Sequence, residues 1–593
     1  MKSIIKIFFV ATLVTLCFLH FSCKEDWLET NPKSFYAPEN VYQDESGFEA
    51  LLITMRKNLK GEHYDSHSRI LIEHASSDLG VPGPQNDRTV KNFPKILTPD
   101  GDGGVMGFPS KLLNYAYGAI KDANVLISRI DNIEWDDENL RNQYLARAYF
   151  HRAYWYYRLV NSYGDVPWTG KEVQEPKLDY QTYSRWTILD KIQRDMEWAV
   201  QYMPETARPG ATTKGAGNHL LAKIRLANLD FDGAINAATN VINGPYQLMT
   251  ERFGIVADDP VRNVIWDLHR PDNVHASENT ETILGTVDRY EDPPGAKTGG
   301  TQLARGYNPA WWHSRVKDSE GAAGTVAEGP QYDTLFRGNA MCRPTPYYLY
   351  EIWDYENDLR RSDINWVEWY EIKYNSPKSV DYGEPIDRDN FASWRDTFQH
   401  SFSFPHYKTF VPHKNPDRTP VGGNGDMYIF RLAETYLIRA EAYFWKNNFS
   451  DAAEDINKVR ERAGATTISP GEVDINFIFE ERARELFSET PRHGEMVRVS
   501  YIMAKNNING YTLENFSQDN WWYDRVMENN LFFNINLTWG SQSYHLAPHN
   551  VLWPISSTMI SNNTEGVINQ NEGYIGAENN KEPLKSIEDL HEH

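Results

Sequence analysis

The sequence predicts a mainly α-helical protein: a tetratricopeptide-like scaffold of helical repeats, covered by a loop-rich region with short strands. Apolar residues recur at spacings of three and four through residues 138–161 and 430–446, which is the period of an amphipathic helix. Two helical pairs also share one spacing of aromatic and small residues. Between them, residues 254–425 lose the helical period and become rich in Gly, Pro, Asn and aromatic residues, which indicates loops.

The first residues form a short positive segment followed by an apolar run, which is typical of a secretory signal. Lys2 and Lys6 precede the run at residues 7–19. This run is too short to cross the hydrocarbon core of a bilayer as a helix, which needs about 20 residues. We therefore predict a signal peptide over residues 1–22 rather than a membrane span.

Cys23 follows this run in a context that resembles the lipobox of bacterial lipoproteins. The small residue Ser22 comes directly before it, although His20 stands where a lipobox prefers an apolar residue. Acyl chains such as palmitate on Cys23 would hold the mature chain at a membrane, because each buried methylene contributes about 0.8 kcal/mol. We predict a lipidated N-terminus and tether over residues 23–45.

The helical regions follow from the apolar period and from the residues that end each segment. We predict an N-terminal tetratricopeptide-like region over residues 46–253, in which Gly164 ends the longest helix. A last tetratricopeptide-like pair is predicted over residues 428–465, and an irregular region packed on the scaffold over residues 466–593. The individual helices are expected at residues 48–60, 111–130, 138–161, 186–203, 218–228, 231–242, 430–446, 449–463 and 477–487.

Two of the helical pairs align at a fixed offset along the chain. Phe231 and Ala234 in the first pair match Phe449 and Ala452 in the second. In tetratricopeptide repeats a small residue lets adjacent helices approach, while a ring fills the hole beside it. Two unrelated helical hairpins that share common residue types are the alternative.

The loop-rich region, residues 254–427, carries the predicted ligand site, and short strands are expected there at residues 347–352 and 366–370. The apolar faces of a sugar stack on flat rings, while its hydroxyls need donors and acceptors. On this chemistry the candidate ligand-binding residues are Tyr290, Arg305, Tyr307, Asn308, Trp311 and Trp312. The alternative for the two tryptophans is that they anchor the loop to the scaffold.

Three further candidates, Asp78, Arg88 and Phe93, lie in a loop between early helices and are assigned to the same cleft. The formal net charge of −22 argues against a nucleic-acid partner, because a phosphate backbone would be repelled. No catalytic, metal-binding or cofactor motif is recognised. Glu481, Arg482 and Glu485 are spaced for helical ion pairs, and we predict a structural network rather than a catalytic carboxylate pair.

Several blocks, read in order, resemble the SusD/RagB family along almost the full length of the chain. Residues 147–168 read RAYFHRAYWYYRLVNSYGDVPW, and residues 430–444 read FRLAETYLIRAEAYF. The runs EERARELF at 480–487 and LWPI at 552–555 follow at the expected spacing. Each block alone is weakly specific, and their order makes the resemblance strong.

The resemblance implies a cell-surface lipoprotein, without enzymatic activity, that captures an oligosaccharide or polysaccharide. It also implies a partner, a SusC-like TonB-dependent transporter in the outer membrane. Lys24, Glu25 and Asp26 look like the surface-export signal of Bacteroidota lipoproteins, so the chain is expected to face the exterior. RagB-like members bind peptides, so a peptide ligand stays an alternative. A secreted glycan-degrading enzyme and a repeat scaffold for protein partners are hypotheses from other classes.

The lipidation hypothesis is tested by Cys23→Ala. The variant is expected to leave the membrane fraction, because it lacks the acyl chains that hold the mature chain at the bilayer. Fractionation followed by immunoblotting measures this, with Ser22→Ala as the control that keeps a small residue before the cysteine. A Cys23→Ala protein that stays with the membranes would contradict the anchor.

Overall fold

The computed structural model describes most of the chain, in two units. The described residues are 41–64, 68–83, 92–101, 108–415, 417–539, 542–588 and 590–591. The first unit comprises residues 1–49 and the second residues 50–593. In the described part of the first unit, Asp44 accepts hydrogen bonds from the Ser46 hydroxyl (2.6 Å) and the Gly47 amide (3.2 Å).

The described chain is mainly helical, which confirms the predicted fold class. Within this part of the chain, no helix is both long and apolar enough to cross a membrane. The α-helices are α1 (Glu45–Leu59), α2 (Arg69–His74), α3 (Phe93–Ile96), α4 (Phe108–Arg129), α5 (Glu138–Tyr163), α6 (Arg185–Tyr202), α7 (Lys214–Ala227), α8 (Phe231–Ile242), α9 (Val264–Leu268), α10 (Leu303–Tyr307), α11 (Pro330–Leu335), α12 (Trp394–His400), α13 (His406–Thr409), α14 (Leu432–Trp445), α15 (Phe449–Arg462), α16 (Ile475–Leu486), α17 (Arg492–Lys505), α18 (Trp521–Asn529), α19 (Leu531–Asn534) and α20 (Ser557–Asn562).

The strands are short and form two-stranded antiparallel pairs, so no large sheet is present in the described residues. The pairs β1–β5 and β4–β6 join segments far apart in the chain, whereas β2–β3 and β7–β8 are local. The strands are β1 (Gly80–Pro82), β2 (Val166–Pro167), β3 (Thr182–Tyr183), β4 (Thr282–Thr286), β5 (Cys342–Pro344), β6 (Met427–Arg431), β7 (Thr538–Trp539) and β8 (Gln542–Ser543).

The two strands expected at residues 347–352 and 366–370 are not formed, and this prediction was wrong. Tyr347–Glu351 is a π-helical turn, and Trp369–Glu371 is a 3-10 turn. The amide of Ile352 donates to the carbonyl of Tyr347 (3.3 Å), so the backbone of the first segment is satisfied locally. In the second segment, Val367 forms only an isolated antiparallel bridge with Phe404. Aromatic residues favour strands only where a pleated neighbour is available.

The helical repeats form one continuous stack in space, although the loop-rich region separates them in sequence. Helices α4 to α8 each pack against the next, and α8 then packs against α14, which pairs with α15 and also contacts α16. Residues 243–431 are therefore an insertion between consecutive members of the stack. The longest helix, α5, ends where Gly164 takes a positive φ of 68°, as predicted.

The two hairpins α7–α8 and α14–α15 turn in the same way, which supports the repeat interpretation. Leu229 and Asn447 occupy equivalent positions, and both adopt a left-handed backbone, with φ of 65° and 57°. The next residues, Asp230 and Asn448, each cap the second helix by accepting from the amide three residues on, at 2.9 and 3.4 Å. In both hairpins, a residue with a left-handed backbone followed by an N-cap residue reverses the direction of the chain.

The predicted wedge of ring and alanine is half correct. Ala234 and Ala452 are fully buried, as close helix approach requires. The rings, however, do not fill an interior hole. Phe231 is half-buried, with its ring centroid 6.3 Å from that of Trp445, and Phe449 is 36% exposed. They cover the open end of the hairpins, because a residue directly after the N-cap lies at the rim of the helix pair.

Three buried carboxylates at the end of α16, Glu481, Glu485 and Glu489, form what we name the carboxylate cluster. Arg431, from the end of β6, reaches Glu489 at 2.5 Å and also contacts Glu485. Arg462, from the end of α15, contacts Glu485 as well. The loop-rich region supplies Arg360, 2.7 Å from Glu481 and 2.9 Å from Glu485, and Lys408, which contacts Glu489.

The cluster is charged in the folded protein. Burial acts to raise the pKa of each carboxyl, but the surrounding cations outweigh it: the pKa of Glu481 falls to about 2, and those of Glu485 and Glu489 lie well below their usual value. The resulting stabilisation is therefore present above the ordinary glutamate pKa and is lost as the pH falls toward the folded-state values. The predicted structural network is confirmed.

The repeat packing is tested by Ala234→Trp and Ala452→Trp. Each is expected to lower the free energy of unfolding by about 1–3 kcal/mol, because a large ring overpacks a site with no free volume. Chemical denaturation measures the change, with Asn236→Trp on the exposed face of α8 as the control. Wild-type stability in both alanine variants would contradict the repeat packing.

Candidate functional site

Trp311, the leading sequence-predicted ligand residue, is buried. Its side chain is fully inaccessible and belongs to a core cluster with Val316, Tyr374 and Phe404. The indole Nε1 donates to the carbonyl oxygen of Phe336 at 3.1 Å. Trp311 is thus a loop anchor, which is the alternative that the sequence left open, and it cannot offer its ring to a ligand in this structure.

Trp312 is only partly buried but is also engaged. Its Nε1 donates to the carbonyl oxygen of Gly338 at 2.8 Å, and the Arg337 guanidinium lies 4.4 Å from its ring centroid. Two half-buried neighbours in the same predicted set are likewise paired within the loop. Arg305 donates to Gln302 at 3.0 Å, and Tyr290 has the Lys297 ammonium 4.5 Å from its ring.

Tyr307 and Asn308 are buried, contrary to the expectation that they face a ligand. The Tyr307 ring packs edge-on against Phe487, with centroids 5.1 Å apart. The Asn308 amide donates to the carbonyl of Leu335 at 3.1 Å. Tyr307 therefore packs the end of α10 against Phe487, and Asn308, directly after α10, links the helix to α11.

Asp78 and Phe93 are buried as well, and Arg88 lies outside the described residues. Asp78 pairs with Arg492 at 2.6 Å and with Arg525 at 2.8 Å. Burial acts to raise the pKa of Asp78, but the two guanidinium groups outweigh it and the pKa is lowered. An ionised carboxylate with two buried partners is a structural link between the early loop and the C-terminal helices, not a free ligand contact.

Exposed rings occur instead further along the loop-rich region. Among the described residues, six aromatic side chains are more than about a third exposed, and five of them lie between residues 350 and 394. Tyr355 and Tyr370 are both 54% exposed, and Tyr350 is 39% exposed. Exposed rings concentrated in one segment indicate an interaction surface more strongly than rings scattered singly.

Three of these rings, Tyr350, Tyr355 and Tyr370, are linked by short contacts with the half-buried Trp369, and we name these four residues the aromatic patch. The Tyr355 hydroxyl donates to the Tyr350 carbonyl oxygen at 3.1 Å. The Ser403 hydroxyl bridges two members, since its oxygen lies 3.5 Å from the Tyr350 hydroxyl and accepts from the Trp369 amide at 3.3 Å. The rings of Trp369 and Tyr370 meet edge to face, with centroids 5.6 Å apart.

Two arginines support the aromatic patch. The Arg361 guanidinium is buried 4.8 Å from the Tyr355 ring centroid and pairs with Glu368 at 2.6 Å. The Arg388 guanidinium covers one face of Trp369 at 3.6 Å. Cation–π contact of this kind fixes a ring's orientation at a gain of about 0.5–2 kcal/mol. The rings are held in place before any ligand arrives.

The carboxylate cluster positions the aromatic patch through neighbouring residues. Arg360 is fixed in the cluster, and the next residue, Arg361, lies beneath the patch. Trp366 joins the two, because its Nε1 donates to the Arg360 carbonyl at 2.8 Å and its ring lies 4.2 Å from the Arg361 guanidinium. A capping box between Glu368 and Glu371 then shapes the 3-10 turn that carries Trp369 and Tyr370.

The arrangement provides stacking faces and hydroxyls rather than reactive groups. Exposed phenol rings can receive the apolar faces of a pyranose, and their hydroxyls can exchange hydrogen bonds with its hydroxyls. The carboxylate beneath the patch, Glu368, is occupied by Arg361 and the Ser403 hydroxyl. In the part of the chain that the structure describes, no group of three or more His, Cys, Asp or Glu side chains is placed to hold a metal ion.

A cavity of about 890 Å³ offers a second location. It lies between the loop after α5 and the C-terminal segment, and its walls include Trp168, Tyr180, Leu584 and Leu590. The Trp168 ring is stacked on Tyr156 with centroids 4.3 Å apart. The cavity presents fewer exposed ring faces than the aromatic patch, which is therefore the stronger candidate for binding an extended chain of sugars.

Two family models match the chain. The model described as the SusD family matches residues 347–574, which include the whole aromatic patch. The model described as "Starch-binding associating with outer membrane" matches residues 26–226. The two matches lie on either side of most of the loop-rich region, the part whose sequence texture departs from the helical scaffold.

Proteins that are similar to this chain in sequence are also named as SusD or SusD-like proteins. SusD-like protein P25 from Formosa agariphila is 25% identical over 538 residues, covering 83% of this chain and 90% of that protein. SusD-like protein P2 from the same organism is 26% identical over 521 residues, with the same coverage. The starch-binding protein SusD of Bacteroides thetaiotaomicron is 37% identical, but over 87 residues, or 14% of each chain.

Solved structures share the fold at low sequence identity. Surface glycan-binding protein A from Bacteroides uniformis aligns with a TM-score of 0.61 at 16% identity, covering 89% of this chain and 100% of that one. A laminarin-binding SusD-like protein aligns with a TM-score of 0.58 at 18% identity, covering 90% and 100%. These likenesses show a common fold, which agrees with the helical repeat stack described above.

The assignment of Trp311 as an anchor is tested by Trp311→Ala, with Trp394→Ala as the matched control. Trp311→Ala is expected to lower the free energy of unfolding by about 3–5 kcal/mol, because it leaves a large cavity in a packed core. Trp394 is 48% exposed, so its replacement is expected to cost under about 1 kcal/mol. Equal stability of the two variants, measured by denaturant unfolding, would overturn the assignment.

Proposed function

We propose, for a chain that belongs to the SusD/RagB family, that the aromatic patch binds an oligosaccharide or polysaccharide. The observation that carries this proposal is the linked set of rings in which Tyr350, Tyr355 and Tyr370 are exposed and the half-buried Trp369 lies against Tyr370. Rings fixed in advance lose little conformational freedom on binding, which favours affinity for a sugar that stacks on them.

The comparisons support a glycan as the ligand class. Proteins with the same fold are named for binding glycans or laminarin, a relative that is similar over 87 residues is named for binding starch, and one matching family model is described by starch binding at the outer membrane. These relatives are named as binding proteins, which supports a binding role over a catalytic one. At the patch, a binding role also fits the pairing of Glu368 with Arg361, which leaves that carboxylate occupied.

The proposal extends to the place and the next step of uptake. We assign the chain to the exterior of the outer membrane, anchored by lipid on Cys23, where it passes the captured glycan to a SusC-like TonB-dependent transporter. Support comes from the lipobox-like sequence and the family description, and Cys23 itself lies outside the described residues. Co-purification of such a transporter with the lipidated chain would support this step, and its absence from gentle detergent extracts would count against it.

The binding site is tested by the double variant Tyr355→Ala/Tyr370→Ala. We expect affinity to fall about five- to a hundredfold, or about 1–3 kcal/mol, because two stacking faces are removed. A glycan array first selects the ligand, and calorimetry then measures its dissociation constant. An assay of reducing-sugar release from the same glycan tests the enzyme hypothesis in parallel.

The control is Tyr382→Ala, which removes a tyrosine that is 62% exposed and outside the patch. Its affinity and melting temperature are expected to match those of the wild type. Unchanged affinity in the double variant, with the fold intact, would show that the glycan binds elsewhere. Binding of peptides but not glycans at the patch would replace the proposed ligand class.

A further inference from the structure

Exposed carboxylates outnumber exposed cations along the segments that form the aromatic patch. The two segments that carry the patch and its covering arginine, residues 350–371 and 387–389, are fully described, and every exposed charged side chain in them is a carboxylate. These exposed carboxylates are Glu351, Glu356, Asp363, Glu371, Asp387 and Asp389.

The arginine side chains in the same two segments are buried or half-buried. Arg360 and Arg361 are buried and neutralised by carboxylates of the protein, the first in the carboxylate cluster and the second by Glu368. Arg388 is half-buried, and it donates to the Ser401 hydroxyl at 3.1 Å and to the Ser401 carbonyl at 2.8 Å. Lys373, three residues after Tyr370, is the one exposed cation when the first segment is extended to residue 373, so an arriving anion meets more carboxylates than cations.

The negative field reaches the rings themselves. The pKa of Tyr370 is raised, first by partial desolvation and then by the charges of Glu368, Glu371 and Asp363, which outweigh the opposing charge of Arg361. Two of these carboxylates, Glu371 and Asp363, are exposed, so they act on whatever stacks against Tyr370. The influence of exposed charges extends about 8 Å at physiological ionic strength, which is more than the width of one sugar unit.

We propose that the aromatic patch selects uncharged glycans and discriminates against glycans that bear carboxylate or sulfate groups. This inference rests on the proposed function, since it names the class of glycan that the same site accepts. Carboxylates around a neutral stacking surface repel an anionic ligand. They therefore give specificity without adding contacts to the neutral ligand. The formal net charge of −22 adds a longer-range repulsion of the same sign.

The test compares matched pairs of polysaccharides that share a backbone. Suitable pairs are laminarin with carboxymethyl laminarin, soluble starch with carboxymethyl starch, and hydroxyethyl cellulose with carboxymethyl cellulose. Binding of the full chain is measured by affinity electrophoresis and calorimetry at low and high salt. For whichever pair binds, we expect the anionic member to bind at least about tenfold more weakly at low salt, with the difference shrinking as salt screens the charges.

A triple variant identifies the source of the discrimination. Glu356→Gln/Asp363→Asn/Glu371→Gln is expected to reduce the difference within a pair to under about threefold, because it removes charges close to the rings. The matched control, Glu134→Gln/Asp136→Asn/Glu528→Gln, changes the net charge equally at exposed positions outside the two segments and is expected to leave the difference as in the wild type.

Each outcome decides between the two proposals. If the anionic member binds as tightly as its neutral partner, and Tyr355→Ala/Tyr370→Ala weakens both, the selectivity is overturned while the proposed function stands. An equal effect of both triple variants would also overturn it, because the discrimination would then come from net charge and not from the surround of the patch. If no pair binds, or if binding ignores the loss of Tyr355 and Tyr370, the proposed function fails and the selectivity with it.

Discussion

Three ionised carboxylates buried near the end of one helix impose a strict requirement on the chain around them. Glu481, Glu485 and Glu489 each need cationic partners, because an uncompensated buried charge costs about 3–5 kcal/mol. The partners come from β6, from α15 and from two loop segments, so these parts must converge on α16 in one arrangement. Such a cluster adds little net stability over an apolar core of similar volume. Its effect is to fix where the loop-rich insertion joins the helical stack.

That junction determines the candidate site. Arg360 belongs to the carboxylate cluster, and Arg361 lies under the aromatic patch, so the distance between scaffold and site is a single peptide unit. The 3-10 turn that bears Trp369 and Tyr370 follows after a few residues and is closed by its own capping box. The loop can thus present its rings at a defined position, because one arginine inside the scaffold sets the start of the loop. The exposed carboxylates along the same segments are the groups that we propose set the charge class of the ligand.

The scaffold could be predicted from the sequence and the site could not, for physical reasons. The helical period, the stop at Gly164 and the Phe–Ala correspondence are local signals, and charge alternation over residues 480–487 indicated ion pairs, so both the repeat stack and the network followed from the residues. Ring exposure depends on tertiary packing. Trp311 lies next to Trp312 in a loop-like context, yet a core cluster buries it, whereas Tyr355 and Tyr370 remain open. One signal for the site was present in the sequence, namely the many aromatic residues around Arg360 and Arg361. Their strand propensity led to a prediction of strands there, whereas the backbone forms π and 3-10 turns.

The central claim is that a glycan binds on the aromatic patch that the carboxylate cluster positions. Hydrogen–deuterium exchange of the full chain, with and without the glycan selected by the array, tests it directly and without a mutation. Binding on the patch predicts slower exchange in residues 350–371 and 388–403, and no change in residues 290–312. Protection centred on residues 290–312, or on the cavity walls at residues 168–183 and 584–588, would contradict it.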